Sequence, residues 1–377
     1  MRTLVFVSIA LIFCMIPAFS QTDSSSSEGS ASFDLMLGHT GLSFGNGQRM
    51  NGLRFAWRDG DFELVNGINV SIWNPYDNPR GEVNGVSVGV VGSGAGRFHG
   101  LTFGVGGAVA SQSMDGVNIG GLGLVSQGTI TGISIAGLGV VSQGRTSGFT
   151  FAGLGVVSQG PMVGFNTAGL GVISQGDMTG INIAGLGTVS QGSITGFNFA
   201  GLGLVAQKSI AGFGFAGLGL VSQGSLRGVN VGGLGVVAQG EVQGVSIAGL
   251  GLVGQAGISG LNISGAGIVS KGGIIGISTT IGMVKSSVAI KGITFGGYKL
   301  ESPMITGINL AICWTESHEL AGLTCAAYNR TDDLQKGIVI GVFNSTEDLH
   351  GIQLGVLNYV AENPAGLKYL PIFNTRF

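Results

Sequence analysis

Residues 148–163 read GFTFAGLGVVSQGPMV, residues 164–179 read GFNTAGLGVISQGDMT, and residues 180–195 read GINIAGLGTVSQGSIT. One phrase thus returns every 16 residues. With the glycine before each apolar pair taken as position 0, the markers are Gly116, Gly132, Gly148, Gly164, Gly180, Gly196, Gly212, Gly228, Gly244, Gly260 and Gly276. Each unit opens with the alternation glycine, apolar, any residue, apolar, as in Gly148, Phe149, Thr150 and Phe151. That alternation marks a strand with one buried face. Glycines at positions 5 and 7, Gly153 and Gly155, would break a helix and suit a bend in extended backbone. Val156 and Val157 resume a β-branched strand, and Ser158-Gln159-Gly160 closes it as a turn. Each unit is therefore two short strands and two bends. A fixed period of this kind means that one unit cannot bury its apolar face alone and needs a like neighbour on each side.

Two all-β folds repeat in this way. In a β-solenoid each unit is a coil, and like residues stack in parallel register. In an up-and-down outer-membrane β-barrel each unit is a strand beside antiparallel neighbours. Position 11 is Gln in Gln127, Gln143, Gln159, Gln175, Gln191, Gln207, Gln223, Gln239 and Gln255. Parallel stacking makes this column a structural ladder of like amides. Position 2 is mostly Asn, Ser or Thr, and Phe149, Phe165, Phe197 and Phe213 fall in one column, which the alternation assigns to the coil interior. On that assignment Phe151→Ala leaves a cavity and costs roughly 3–5 kcal/mol. The six charges between Gly116 and Ile275 are Arg145, Asp177, Lys208, Arg227, Glu241 and Lys271, all at positions 11 to 15, one edge of a coil. These features predict a β-solenoid of roughly twenty coils. The barrel stays as the alternative, because the chain ends LPIFNTRF on an aromatic residue.

Around the regular block, 116–291, lie looser units. Residues 33–115 carry markers Gly52, Gly67, Gly85 and Gly100. Residues 292–377 carry Gly292, Gly307, Gly322, Gly337, Gly351 and Gly366. These flanks are charged, as in RMNGLRFAWRDGDFE and STEDLH, which suits the ends of a stack. The start is a targeting segment. Arg2, the apolar run Leu4 to Ile16 and the small-x-small site Ala18-Phe19-Ser20 read as a signal peptide over 1–20. Cys14 follows Leu11 as a lipidation site would require, but Phe13 is too large for one. Residues 21–32, Ser-rich and polar, read as a disordered tether.

Composition narrows function by exclusion. Of 377 residues 74 are Gly, only 10% are charged, and net charge is −2, so no nucleic-acid-binding face is implied. Asp177 and Glu241 are the only acids between Gly116 and Ile275, and no His falls there. No catalytic, cofactor-binding or metal site is therefore expected, and no small-molecule substrate. His39, His99, His318 and His350 lack ligand spacing and read as surface residues. Cys313 and Cys325 sit at different unit positions and read as small buried apolar residues rather than a bridge.

Units such as GIVIGVFN at 337 and GIQLGVLN at 351 resemble the bacterial family of surface repeat-containing proteins, with units of the form G-φ-x-φ-G-φ-φ-N. The resemblance implies an exported protein at or near a Gram-negative outer membrane and supplies no site residues. The expected function is a non-enzymatic structural repeat protein of the cell surface or envelope: a spacer, coat or adhesin. The alternatives are an outer-membrane barrel pore and a flat β face binding glycan or ice through the position 2 hydroxyls and amides. Expected partners are outer-membrane or cell-surface components, with self-association through coil ends.

Overall fold

The computed structural model describes residues 33–376 except 38, 39, 46, 74, 76 and 77. The expected signal peptide and tether, Cys14, His39 and Phe377 lie outside the described residues.

The chain is a β-solenoid of about 19 turns, all β and without a helix among the described residues. Each regular coil has a long strand, such as Thr146–Ala152, and a short one, such as Gly155–Ser158. Long strands stack on long and short on short, parallel and in register. Phe149 lies between Ile133 and Phe165, and Val156 between Val140 and Val172. The barrel alternative fails on this pairing, because consecutive units run parallel and each closes as a coil. The bends stack too: the Gly153 and Leu154 N–H groups donate to Ala136 and Leu138 carbonyls. The backbone's polar groups are thus paired from coil to coil along the stack.

The regular block continues into both flanks without a break in pairing. Toward the C-terminus the bend straightens, and single strands such as Tyr328–Thr346 run through it. Each end is closed by an antiparallel strand: Phe33–Leu37 against Thr40–Phe44, and Tyr369–Arg376 against Asp348–Val360.

Which residues face inward is the main departure from the sequence reading. In the coil of Gly148, the buried side chains are Thr150, Ala152, Val156, Ser158 and, at position 14, Met162. Phe149 is 55% exposed and Phe151 39%. The stacking partners of both Phe residues are those the repeat predicts, but their column lies outside the coil. Phe151→Ala therefore opens no interior cavity, and the cost expected of a buried Phe is withdrawn. The cause is strand parity. Met162, Asn166 and Ala168 share one face of the strand Met162–Ala168, and Phe165 and Thr167 take the other. The large apolar residue at position 14 wins the interior, and positions 1 and 3 go outside.

The interior is one side chain deep from each sheet. A methyl added at Gly214, at position 2, would touch Leu220 of the short strand at 3.0 Å, so position 2 faces position 8. Position 2 is polar and yet buried, which is costly unless hydrogen bonds compensate. The Asn166 amide donates to Asn182 Oδ1 (2.9 Å), and Asn182 donates to Asn198 Oδ1 (2.8 Å). In the C-terminal coils, Asn329, Asn344 and Asn358 form a second ladder, each bond 2.8 Å. At position 10, the Ser158 hydroxyl donates to the Gly144 carbonyl of the preceding coil (2.8 Å).

Glycine at position 0 is required by closeness. Gly148 has φ +106°, and a methyl there would lie 2.1 Å from the Gly132 carbonyl oxygen. This glycine column lets adjacent long strands approach where a Cβ would collide with backbone.

Candidate functional face

The outward side of the long-strand sheet carries two apolar columns along the stack. The first, at position 1, includes Leu53, Ile68 and Leu101 near the start, Ile133, Phe149, Ile181 and Phe197 in the middle, and Ile293, Leu323 and Ile352 near the end. From Leu42 to Ile352 this column holds no polar residue. The second, at position 3, runs from Phe44 to Leu354 and is interrupted only by Thr167, Thr279 and Cys325. Many of these side chains, such as Ile133, Phe197 and Ile308, are 40% exposed or more. A contiguous apolar surface of this extent on a protein exterior marks an interaction site.

Parallel register shapes the face. Phe197 stacks on Phe213 with centroids 4.7 Å apart and planes 4° from parallel, and Phe199 on Phe215 at 4.8 Å and 2°. Phe151 tilts against Phe165 at 5.4 Å. Ring faces are thus covered by neighbouring rings, and the outward surface is made of edges. Beside the columns, position 15 is mostly polar, with Val163, Ala211, Ile275 and Ala321 as exceptions. The Asn66 amide donates to Asn51 Oδ1 (2.8 Å), Asn84 donates to Asn66 (3.0 Å), and Ser147 donates to Thr131 (3.4 Å).

The nine Gln residues named from the sequence stand in register on a different edge. Their side chains are exposed in every case. Their backbone N–H groups join the stack, as when Gln159 donates to the Ser142 carbonyl at 2.9 Å. Amide-to-amide bonds between side chains run instead along the Asn columns. The Asn, Ser and Thr of position 2, which suggested a glycan- or ice-binding face, are buried between the sheets and present nothing to a ligand.

In the C-terminal coils the outer side of the short-strand sheet is charged. Lys285, Glu301, Lys299 and Glu316 alternate in sign, with Lys285 bound to Glu301 at 2.6 Å and Lys299 bridging Glu301 and Glu316. Hydrogen bonds from Lys285 and Lys299 hold the Glu301 carboxyl below the usual glutamate range. Burial pulls the Lys299 ammonium down, and its bonds to Glu316 and Glu301 outweigh that, leaving it above the usual lysine value. Near the N-terminus, Arg54 takes the inward position 2 and is fully buried. It donates to Asp59 Oδ1 (2.8 Å) and Asn69 Oδ1 (2.6 Å) beneath Phe62.

His99, His318 and His350 are exposed, each within 4 Å of a carboxylate. Among the described residues no three His, Cys, Asp or Glu side chains converge as a metal site. Cys313 and Cys325 are free, the first exposed and the second half-buried, so the reading of both as buried is corrected. Two shallow depressions lie on the C-terminal coils, one among Arg330, Asp332 and Glu347, the other among Met304, Leu320 and Leu334.

The apolar face was within reach of the sequence. Positions 14 and 1 are three residues apart in one strand, so an unbroken alternation cannot put both inside. No protein-family model, curated protein or solved structure matches the chain.

Proposed function

We propose that this is a non-enzymatic structural protein of the bacterial cell envelope or surface, a stiff rod that spaces, coats or adheres. The observation that carries this reading is the continuous stack: parallel pairing runs from Thr40 to Val360, with register shifts at 95–97 and 317–319. Coils spaced ~4.8 Å apart make such a stack about 90 Å long over its turns, with a single strand-pair cross-section. Export is supported by the Arg2, Leu4–Ile16 and Ala18–Ser20 pattern. The resemblance of GIVIGVFN and GIQLGVLN to surface repeat units supports the outer-membrane neighbourhood.

Two measurements test the proposal. Cell fractionation with surface proteolysis should find the chain in the envelope fraction, cleaved by added protease on intact cells. Negative-stain images of purified protein should show rods of that length and not compact particles. A cytoplasmic location overturns the placement, and compact particles overturn the rod.

A further inference from the structure

The apolar face is uncovered in the single chain, and its dimensions say what fits it. We infer that its occupant is a second copy of this chain, packed face to face through the columns of Phe149 and Phe151. Three observations point to a like partner.

The first is area. Two outward columns, about 12 Å across with their side chains, over a stack about 90 Å long give on the order of 1,000 Å² per copy. A stable pair needs roughly 800 Å² per partner. Sheet faces of this kind pack about 10 Å apart with side chains interdigitating.

The second is periodicity. The face repeats its side chains once per coil, shown by Phe197 and Phe213 at 4.7 Å. A second copy has the same step, so its side chains stay in phase with the first along the whole stack. A partner with another spacing drifts out of phase within a few coils.

The third is the rim. On one side the columns are bordered at position 15 mostly by polar residues such as Asn66 and Ser147, the polar border found at protein interfaces, and on the other the exposed bend leucines such as Leu154 and Leu170 extend the apolar surface. The charges of the regular block lie off the two columns: Arg145, Lys208, Arg227, Lys271, Lys285 and Lys291 against Asp177 and Glu241.

The pairing does not depend on where the rod is placed in the cell. It predicts a specific self-contact. The coil of Gly196 has as many coil glycines before it as after it between Gly41 and Gly351. In full overlap, Phe197 therefore meets Phe197 of the second copy when the rods run in opposite directions, and Phe199 when they run in the same direction.

The experiment uses the full chain. Light scattering should give twice the 38.0 kDa chain mass. The variant Phe197→Asp should shift the protein to monomer, with at least a tenfold weaker association and an unchanged β-sheet circular dichroism spectrum. Gln191→Asp, which adds the same charge on the Gln edge, should leave the dimer intact. Should Phe197→Asp fail to fold, cross-linking replaces it. In a chain with Cys14, Cys313 and Cys325 changed to Ser, a short bis-maleimide that spans the ~10 Å between packed sheets should join Phe197→Cys into a covalent dimer and should not join Gln191→Cys. A wild-type monomer at ~10 µM overturns the inference. So does a dimer indifferent to Phe197→Asp, which would place association at the coil ends. A monomer that floats with phosphatidylcholine vesicles overturns it in favour of lipid.

Discussion

At the scale of single residues, hydrophobicity does not sort inside from outside here. Phe151 and Met162 are both large and apolar, one outward and one fully buried. A threonine at each separates the two environments. Phe151→Thr loses contact with Ile135 and Phe165, on the order of 1–2 kcal/mol at ~25 cal/mol per Å². The next coil already carries Thr167 at this place. Met162→Thr loses buried volume and strands a hydroxyl, for roughly 3–5 kcal/mol. Urea unfolding of the two variants checks the order. Equal costs would return Phe151 to the interior.

At the scale of the coil, two glycines in one unit have different duties. Gly164 has φ +114°, and a methyl there would lie 2.2 Å from the Gly148 carbonyl oxygen. At Gly171 the nearest such atom is 3.6 Å away, an ordinary contact. Gly164→Ala should therefore cost about 2–4 kcal/mol, backbone strain alone accounting for 1–3. Gly171→Ala should stay within about 1 kcal/mol of neutral. Because stability in a stack is nearly nearest-neighbour, lost hydrogen-exchange protection in Gly164→Ala should be confined to residues 148–180. Protection lost evenly along the chain would show that the coils melt as one unit.

At the scale of the whole molecule, charge divides the stack. Residues 116–282 carry six charged side chains, while the coils that follow hold the Lys285–Glu301–Lys299–Glu316 network. Glu301 is depressed in the folded state, so its contribution is present above the ordinary glutamate value and is lost as pH falls through the folded one. Lys299 is raised, so its contribution holds below the ordinary lysine value and is lost as pH rises through the folded one. Acidification below about pH 4.5 should therefore loosen residues 283–317 while residues 130–260 keep their protection. Amide exchange at pH 7 and pH 3, corrected for intrinsic rates, reads this directly. Equal loosening of both regions would deny the network a stabilising role.

Much of the fold is legible in the sequence. The 16-residue spacing of Gly148, Gly164 and Gly180, the strand-bend-strand unit and the parallel column of Gln159 all follow from repetition alone, since a repeated phrase stacks like upon like. The stacking partners of Phe149 and Phe151 are legible for the same reason. The direction in which each column points was decided by tertiary structure. Alternation states that Phe149 and Thr150 face opposite ways, and by itself it does not say which way is in. That choice fell to residues brought in from elsewhere in the coil. Val156 and Met162 fill the space between the sheets, the Asn166–Asn182–Asn198 ladder offsets part of the cost of burying polar groups, and the strand's parity then leaves Phe149 and Phe151 on the outside.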